Sequence, residues 1–206
     1  MKLTTLAMGL LGAGMVFGFA RLANAQMVGL PVMDTASPRD RGNLEVTPGA
    51  MFGHEMDSYG ARTTISALDD LRVFVDLGAV DMRDEPVNFA IQGGALYTLD
   101  PIDLADLAIR GVIYHTSAEY LALTGVNGML IFSDETLLDH LYLYGGAGLD
   151  VVYKSFDNIG GANDSKMEVN PALALGLSFQ CNNRCSLFVE ADYIDGLYAG
   201  GGISIR

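Results

Sequence analysis

Leu71-Arg72-Val73-Phe74-Val75-Asp76-Leu77-Gly78 sets Leu71, Val73, Val75 and Leu77 against Arg72, Phe74, Asp76 and Gly78. A period of two places each set on one face of a β-strand. The alternation returns where Leu173, Leu175, Leu177 and Phe179 interleave with Ala172, Ala174, Gly176, Ser178 and Gln180. Short acidic or glycine-bearing turns such as Asp69-Asp70 and Asp134-Glu135 separate these stretches from Leu44 to Arg206. The pattern predicts ten strands: Leu44–Glu55, Tyr59–Ala67, Leu71–Val80, Val87–Leu99, Asp106–His115, Tyr120–Phe132, His140–Lys154, Glu168–Gln180, Ser186–Ile194 and Leu197–Arg206. No window sustains apolar spacing at 3.6, so the chain reads as all-β. Pro48-Gly49 makes the first strand the weakest of the ten, and eight strands is the alternative count.

Ahead of the strands, residues 1–25 read as a secretory signal. Lys2 supplies the positive start, Leu6 to Ala20 the apolar run, and Ala23-Asn24-Ala25 the small-residue cleavage site. Residues 26–43 carry Pro31 and Pro38 and read as a flexible lead-in, not a strand. Residues 44–206 form a single barrel domain. The chain has a formal net charge of −13. Without Lys2 and Arg21 the mature part stands at −15, which excludes nucleic acid as a partner because phosphate binding needs clustered Lys and Arg. Its acids concentrate in turns, not on strands.

The two faces of the strands differ. One is apolar and almost free of charge, with Tyr59, Tyr97, Tyr120, Tyr153 and Tyr193 near strand ends, as in the aromatic girdles of membrane barrels. The other carries small residues such as Ala90, Gly94, Gly148, Gly200 and Ser204. Among them stand Arg62, Arg72, Asp76, Arg110, Asp150, Lys154, Glu190, Asp192 and Arg206. A soluble barrel would show water a face rich in Lys, Glu and Thr. Small residues with a few pairable charges suit the narrow lumen of a transmembrane barrel instead. Strands of about ten residues cross the hydrocarbon when tilted, and only a closed sheet leaves no unpaired edge there. The fold expected is therefore a closed antiparallel up-and-down transmembrane β-barrel.

Three stretches resemble small outer-membrane β-barrels of the OmpA-like or OmpX-like class: Tyr142-Leu-Tyr-Gly-Gly-Ala-Gly-Leu-Asp150, Leu187-Phe-Val-Glu-Ala-Asp-Tyr193 and Tyr198-Ala-Gly-Gly-Gly-Ile-Ser-Ile-Arg206. The resemblance implies the bacterial outer membrane as location, with outer-membrane lipid and the barrel-insertion machinery as partners. It also implies a final aromatic residue, where this chain has Arg206.

Few motifs suggest chemistry. His115-Thr116-Ser117 resembles the catalytic pair of outer-membrane lipid A deacylases, in which a histidine base activates a serine; Glu119 does not match that family's acid spacing. Cys181 and Cys185 flank Asn182-Asn183-Arg184, and an exported chain with two cysteines is expected to join them as a disulfide stapling a hairpin. His54, His115 and His140 are scattered, and there is no zinc spacing, CxxC pair or phosphate-binding glycine motif, so neither metal nor cofactor is expected. The leading expectation is a barrel with a structural or surface-interaction role and a packed or narrow lumen. The alternatives are a narrow pore for small solutes, a lipid hydrolase using His115 and Ser117, and a soluble exported barrel holding an apolar ligand.

Overall fold

The computed structural model describes residues 32, 34–37, 39–54, 56–82, 86–99, 105–117, 121–136, 138, 140–156, 164–194 and 196–206. The signal at 1–25, the cleavage site and Tyr120 lie outside the described residues.

Ten antiparallel strands form a closed barrel. They are β1 (Leu44–Gly53), β2 (Met56–Ser66), β3 (Leu71–Met82), β4 (Asn88–Thr98), β5 (Asp106–Ser117), β6 (Leu121–Glu135), β7 (Leu141–Phe156), β8 (Asp164–Asn182), β9 (Cys185–Ile194) and β10 (Leu197–Ile205). Each strand pairs with the next in sequence, and β1 pairs with β10 to close the ring. An even count brings the start of β1 and the end of β10 to one end of the barrel, here called the N-proximal end.

Burial follows the two-residue period. In β5 the pattern runs buried, exposed, buried from Ala108 to Ser117. The exposed set is apolar: Val75, Leu77, Ile109, Ile113, Val126, Leu130, Leu149, Val189 and Ile203 all point outward. The small and charged set points inward. That is the reverse of a soluble barrel with an apolar interior ligand site. Tyr59, Tyr97 and Tyr153 lie exposed on the outer face, whereas Tyr193 is buried.

Both strand prolines sit where a ladder hydrogen bond is dispensable. Pro48 stays in register with Ala61 of β2, while β1–β10 pairing lapses between Val46 and Gly49, so the missing N–H interrupts one side only. Pro171 pairs with Leu149 of β7, but β8 meets β9 only from Ala172 onward. Between Pro171 and Asp164, β8 therefore continues as a hairpin with β7 alone.

Cys181 and Cys185 are free thiols, which corrects the expected disulfide. A register shift between Gln180 and Asn182 leaves Cys181 in a β-bulge, while Cys185 pairs with Asn182. The Cys181 thiol lies 3.9 Å from the Phe179 carbonyl, and the Cys185 thiol neighbours it without a bond between the sulfurs.

The described part of 26–43 also departs from the expected flexible lead-in. Val32, Asp34, Thr35 and Ala36 are buried, because the segment enters the lumen from the N-proximal end. Its exit is tied to the rim by Arg39 N–H to Asp69 O at 3.2 Å and Gly42 N–H to Ser66 O at 2.8 Å. Gly42 takes a φ of 83° at this corner, a conformation open to glycine at little strain.

Candidate functional site in the barrel lumen

A closed eight-stranded barrel has an interior about filled by its own side chains, and diameter grows with strand number. Ten strands therefore leave extra width. In the N-proximal half many of the inward residues are also small, among them Thr47, Thr64, Ser66, Thr98, Ala108, Ser133, Ser178, Ser186 and Ser204. The inserted segment occupies part of the resulting space and leaves a cavity of about 160 Å³ between itself and Tyr142, Ser178, Gln180, Ser186 and Arg206.

Nearest the rim, Arg39 Nη2 lies 2.8 Å from Asp34 Oδ1, and Arg39 Nη1 also pairs with Glu45. Glu45 in turn accepts from Arg206 Nε at 3.0 Å, joining the end of the chain to the start of β1. One level deeper, Arg72 donates from Nη1 to Asp34 Oδ1 and from Nη2 to the Thr35 carbonyl, both at 2.6 Å. Ser133 Oγ accepts from Ala36 N–H at 2.9 Å, and Thr98 Oγ1 donates to Ala36 O at 3.0 Å. Deeper still, Glu190 Oε1 accepts from Val32 N–H at 2.7 Å, and Arg62 Nη1 donates to Val32 O at 2.5 Å.

Asp34 is held below its ordinary carboxyl value of 3.8. Burial alone would raise it, but the guanidinium groups of Arg39, Arg72 and Arg62 together with the Thr35 backbone N–H outweigh that penalty. The partner Arg39 is held above its ordinary value: burial opposes its charge, and the Asp34 and Glu45 carboxylates overcome it.

Of the nine inward charges expected from the sequence, eight are buried, namely Arg62, Arg72, Asp76, Arg110, Asp150, Lys154, Glu190 and Asp192, while Arg206 is exposed at the rim. They do not form one cluster. Arg62 grips Asp76 through two parallel bonds of 2.8 Å, the geometry in which a buried ion pair is best compensated. Gln92 donates to the same carboxylate. The ring of Phe74 lies between two cations, 4.4 Å from Arg62 Cζ and 5.2 Å from Arg110 Cζ. Lys154 is separate, pairing with Glu168 at 2.8 Å.

Two lumenal tyrosines complete the network. Tyr144 OH donates to Glu190 at 2.5 Å, and Tyr114 OH donates to Asp150 at 2.8 Å. Each stands opposite a glycine across the ladder, Tyr144 against Gly176 and Tyr114 against Gly125. A Cβ on either glycine would fall inside the tyrosine ring, so the glycine makes room for the ring to lie over its neighbour. The sequence did not mark Asp34, Arg39, Glu45, Tyr114 or Tyr144 as lumen residues. For the tyrosines, the cross-strand Tyr–Gly pairing was the available signal.

Beyond the inserted segment the lumen changes character. Met51, Met56, Val80, Met82, Leu123, Val152, Ile194 and Tyr198 are buried in the distal half, in one apolar cluster with Val32 and Ala36 of the segment. Between the two regions, Arg110 Nε and Nη2, both Asp192 oxygens and the Asn127 amide have no direct hydrogen-bond partner among the described residues. Buried groups of this kind are served by water.

His115 and Ser117 lie on the outer face of β5. The His115 ring places Nδ1 2.7 Å from Thr124 Oγ1 on β6. Ser117 stands one pleat further along the same face, and Glu119 lies outside the described residues. Among the described residues no group of His, Cys, Asp and Glu is arranged to hold a metal ion.

No family model matches the chain, and no curated protein matches it. Among solved structures it is similar to the N-terminal β-barrel domain of Pseudomonas aeruginosa OprF, at 14% identity over 81% of this chain and 98% of that one, with a TM-score of 0.41. It is similar to the KdgM porin at 9% identity over 79% and 98%, with a TM-score of 0.44. It is also similar to Neisserial surface protein A at 13% identity over 79% and 94%, with a TM-score of 0.36.

Proposed function

We propose that this chain is an integral outer-membrane β-barrel protein with a structural or surface-interaction role and a lumen sealed by its own residues. The observation that carries this reading is the exterior: an apolar, nearly charge-free belt on a closed sheet. In water such a belt is a large exposed apolar surface of the kind that marks an interaction site or an aggregation hazard; against lipid it is the surface that a spanning barrel needs. Outer-membrane lipid is then the partner of the belt, and the barrel-insertion machinery brings the chain to it. The segment at residues 32–39 and the apolar distal packing support a closed lumen over a pore. The pairing of His115 with Thr124 gives the hydrolase reading no activated serine.

Two measurements test the reading. Membranes carrying the protein should release it only with detergent, and the unboiled sample should migrate differently from the boiled one on a gel. Recovery in the aqueous fraction without detergent would overturn the membrane assignment. Ile113, 64% exposed near the middle of β5, provides the second. Ile113→Arg should destabilise the barrel in lipid by about 2–4 kcal/mol, the range for a cation placed at the bilayer midplane. A neutral outcome would mean that this face meets water.

A further inference from the structure

The inserted segment is recognised in an unusual way for a packed interior. Five of its main-chain groups are met by inward side chains of five different strands. Val32 N–H and C=O meet Glu190 and Arg62, Thr35 C=O meets Arg72, and Ala36 N–H and C=O meet Ser133 and Thr98. Among its described residues two side chains are met by charges of the barrel wall, the Asp34 carboxylate by Arg72 and the Arg39 guanidinium by Glu45. Main-chain recognition with a few charged positions is how an extended peptide is bound when most of its side chains are free to vary.

We propose that the N-proximal half of the lumen is a binding site for an extended peptide that carries a carboxylate, and that the segment described at residues 32, 34–37 and 39 is its resident occupant. Glu190, Arg62, Arg72, Ser133 and Thr98 hold the backbone, and Arg72 selects a carboxylate at the position of Asp34. The site opens at the end where the segment enters, so a peptide of the same chemistry arriving from that side can take the segment's place. This inference rests on the lumen geometry and not on which membrane holds the barrel.

The test uses a barrel that begins at Asp40, folded in detergent and verified by heat-dependent gel migration, with a fluorescein-labelled peptide of the sequence 31–39 as probe. The expected result is saturable binding that weakens by about tenfold or more with an Asp34→Asn peptide, since one hydrogen bond to a charged group is lost. An Arg72→Gln barrel should show the same loss. A folded barrel that does not bind the peptide, or that binds both peptides equally, overturns the proposal. If the shortened barrel does not fold, the full chain decides, with a site-specific protease sequence inserted after the exposed Arg41 and cut once the barrel has formed. Retention of the cut segment through a detergent wash, and its loss from the Asp34→Asn barrel, support the proposal. Release from the unaltered barrel, or equal retention in both, overturns it. Failure of this experiment leaves detergent extraction and the Ile113→Arg result untouched.

Discussion

The two halves of this lumen are closed by different means. The distal half is lined by Met51, Met56, Val80, Met82, Leu123, Val152 and Ile194, side chains large enough to meet across the barrel. The N-proximal half carries many serine, threonine and alanine liners, and a separate stretch of the same chain occupies part of it. Small polar liners leave both space and unpaired hydrogen-bonding groups, and an extended backbone satisfies the two together. Apolar liners need only shape. The outer face is apolar in both halves.

The largest effect should come at the boundary between them. Arg62 bridges Asp76 of the barrel wall and Val32 of the inserted segment. Arg62→Ala strands a buried carboxylate, and breaking a buried ion pair in this way costs about 3–5 kcal/mol. Denaturant unfolding followed by heat-dependent gel migration should show that loss; a drop below 1 kcal/mol would mean that water reaches Asp76 freely.

A matched pair of substitutions then separates the halves. Leu123→Ala in the distal half should cost about 2–5 kcal/mol through the cavity left behind. Ser133→Ala in the N-proximal half should cost about 1–3 kcal/mol by orphaning the Ala36 N–H, and it should loosen the segment without opening the distal end. Protease sensitivity of residues 32–39 distinguishes them, rising in Ser133→Ala and not in Leu123→Ala.

Acid should act on one half only through the segment. Because the Asp34 pKa is lowered on folding, its contribution is complete above its ordinary value of 3.8 and is lost as pH falls through the lower folded value. A segment cut after Arg41 should therefore wash out below pH 3.8 and stay bound at neutral pH. The Asp34→Asn barrel has no such step to lose. The smallest effect belongs to the outer face: His115→Ala removes one exposed hydrogen bond to Thr124, and stability should move by no more than about 0.5 kcal/mol. Membrane lipid composition should be unchanged by it, which the hydrolase alternative does not allow.

Much of the fold was legible because a strand writes its two environments into alternate residues. Arg72, Asp76 and Arg110 fall at inward positions by parity alone, and the burial of all three follows from it. The strand at Pro48 survived because the proline meets β10 where pairing lapses, a detail of register that no single strand reveals. A spacing of three residues marked the β8–β9 hairpin, where both cysteines stand as neighbouring free thiols. Asp34 was the least legible of all. It lies in an irregular, proline-bearing stretch with no period to assign it a face, and its partner Arg72 is 38 residues away in sequence. Its role exists only once the barrel has closed around it.

The central claim is that the apolar set faces lipid while the chain fills its own lumen. Spin labels at Val75, Ile113, Val126, Leu149 and Val189, each exposed on the outer face, test it in one series, with Cys181 and Cys185 replaced by serine and the barrel held in a lipid bilayer. A lipid-facing belt gives relaxation by oxygen at all five sites and protection from a water-soluble nickel chelate. Relaxation by the chelate at those sites would contradict the account.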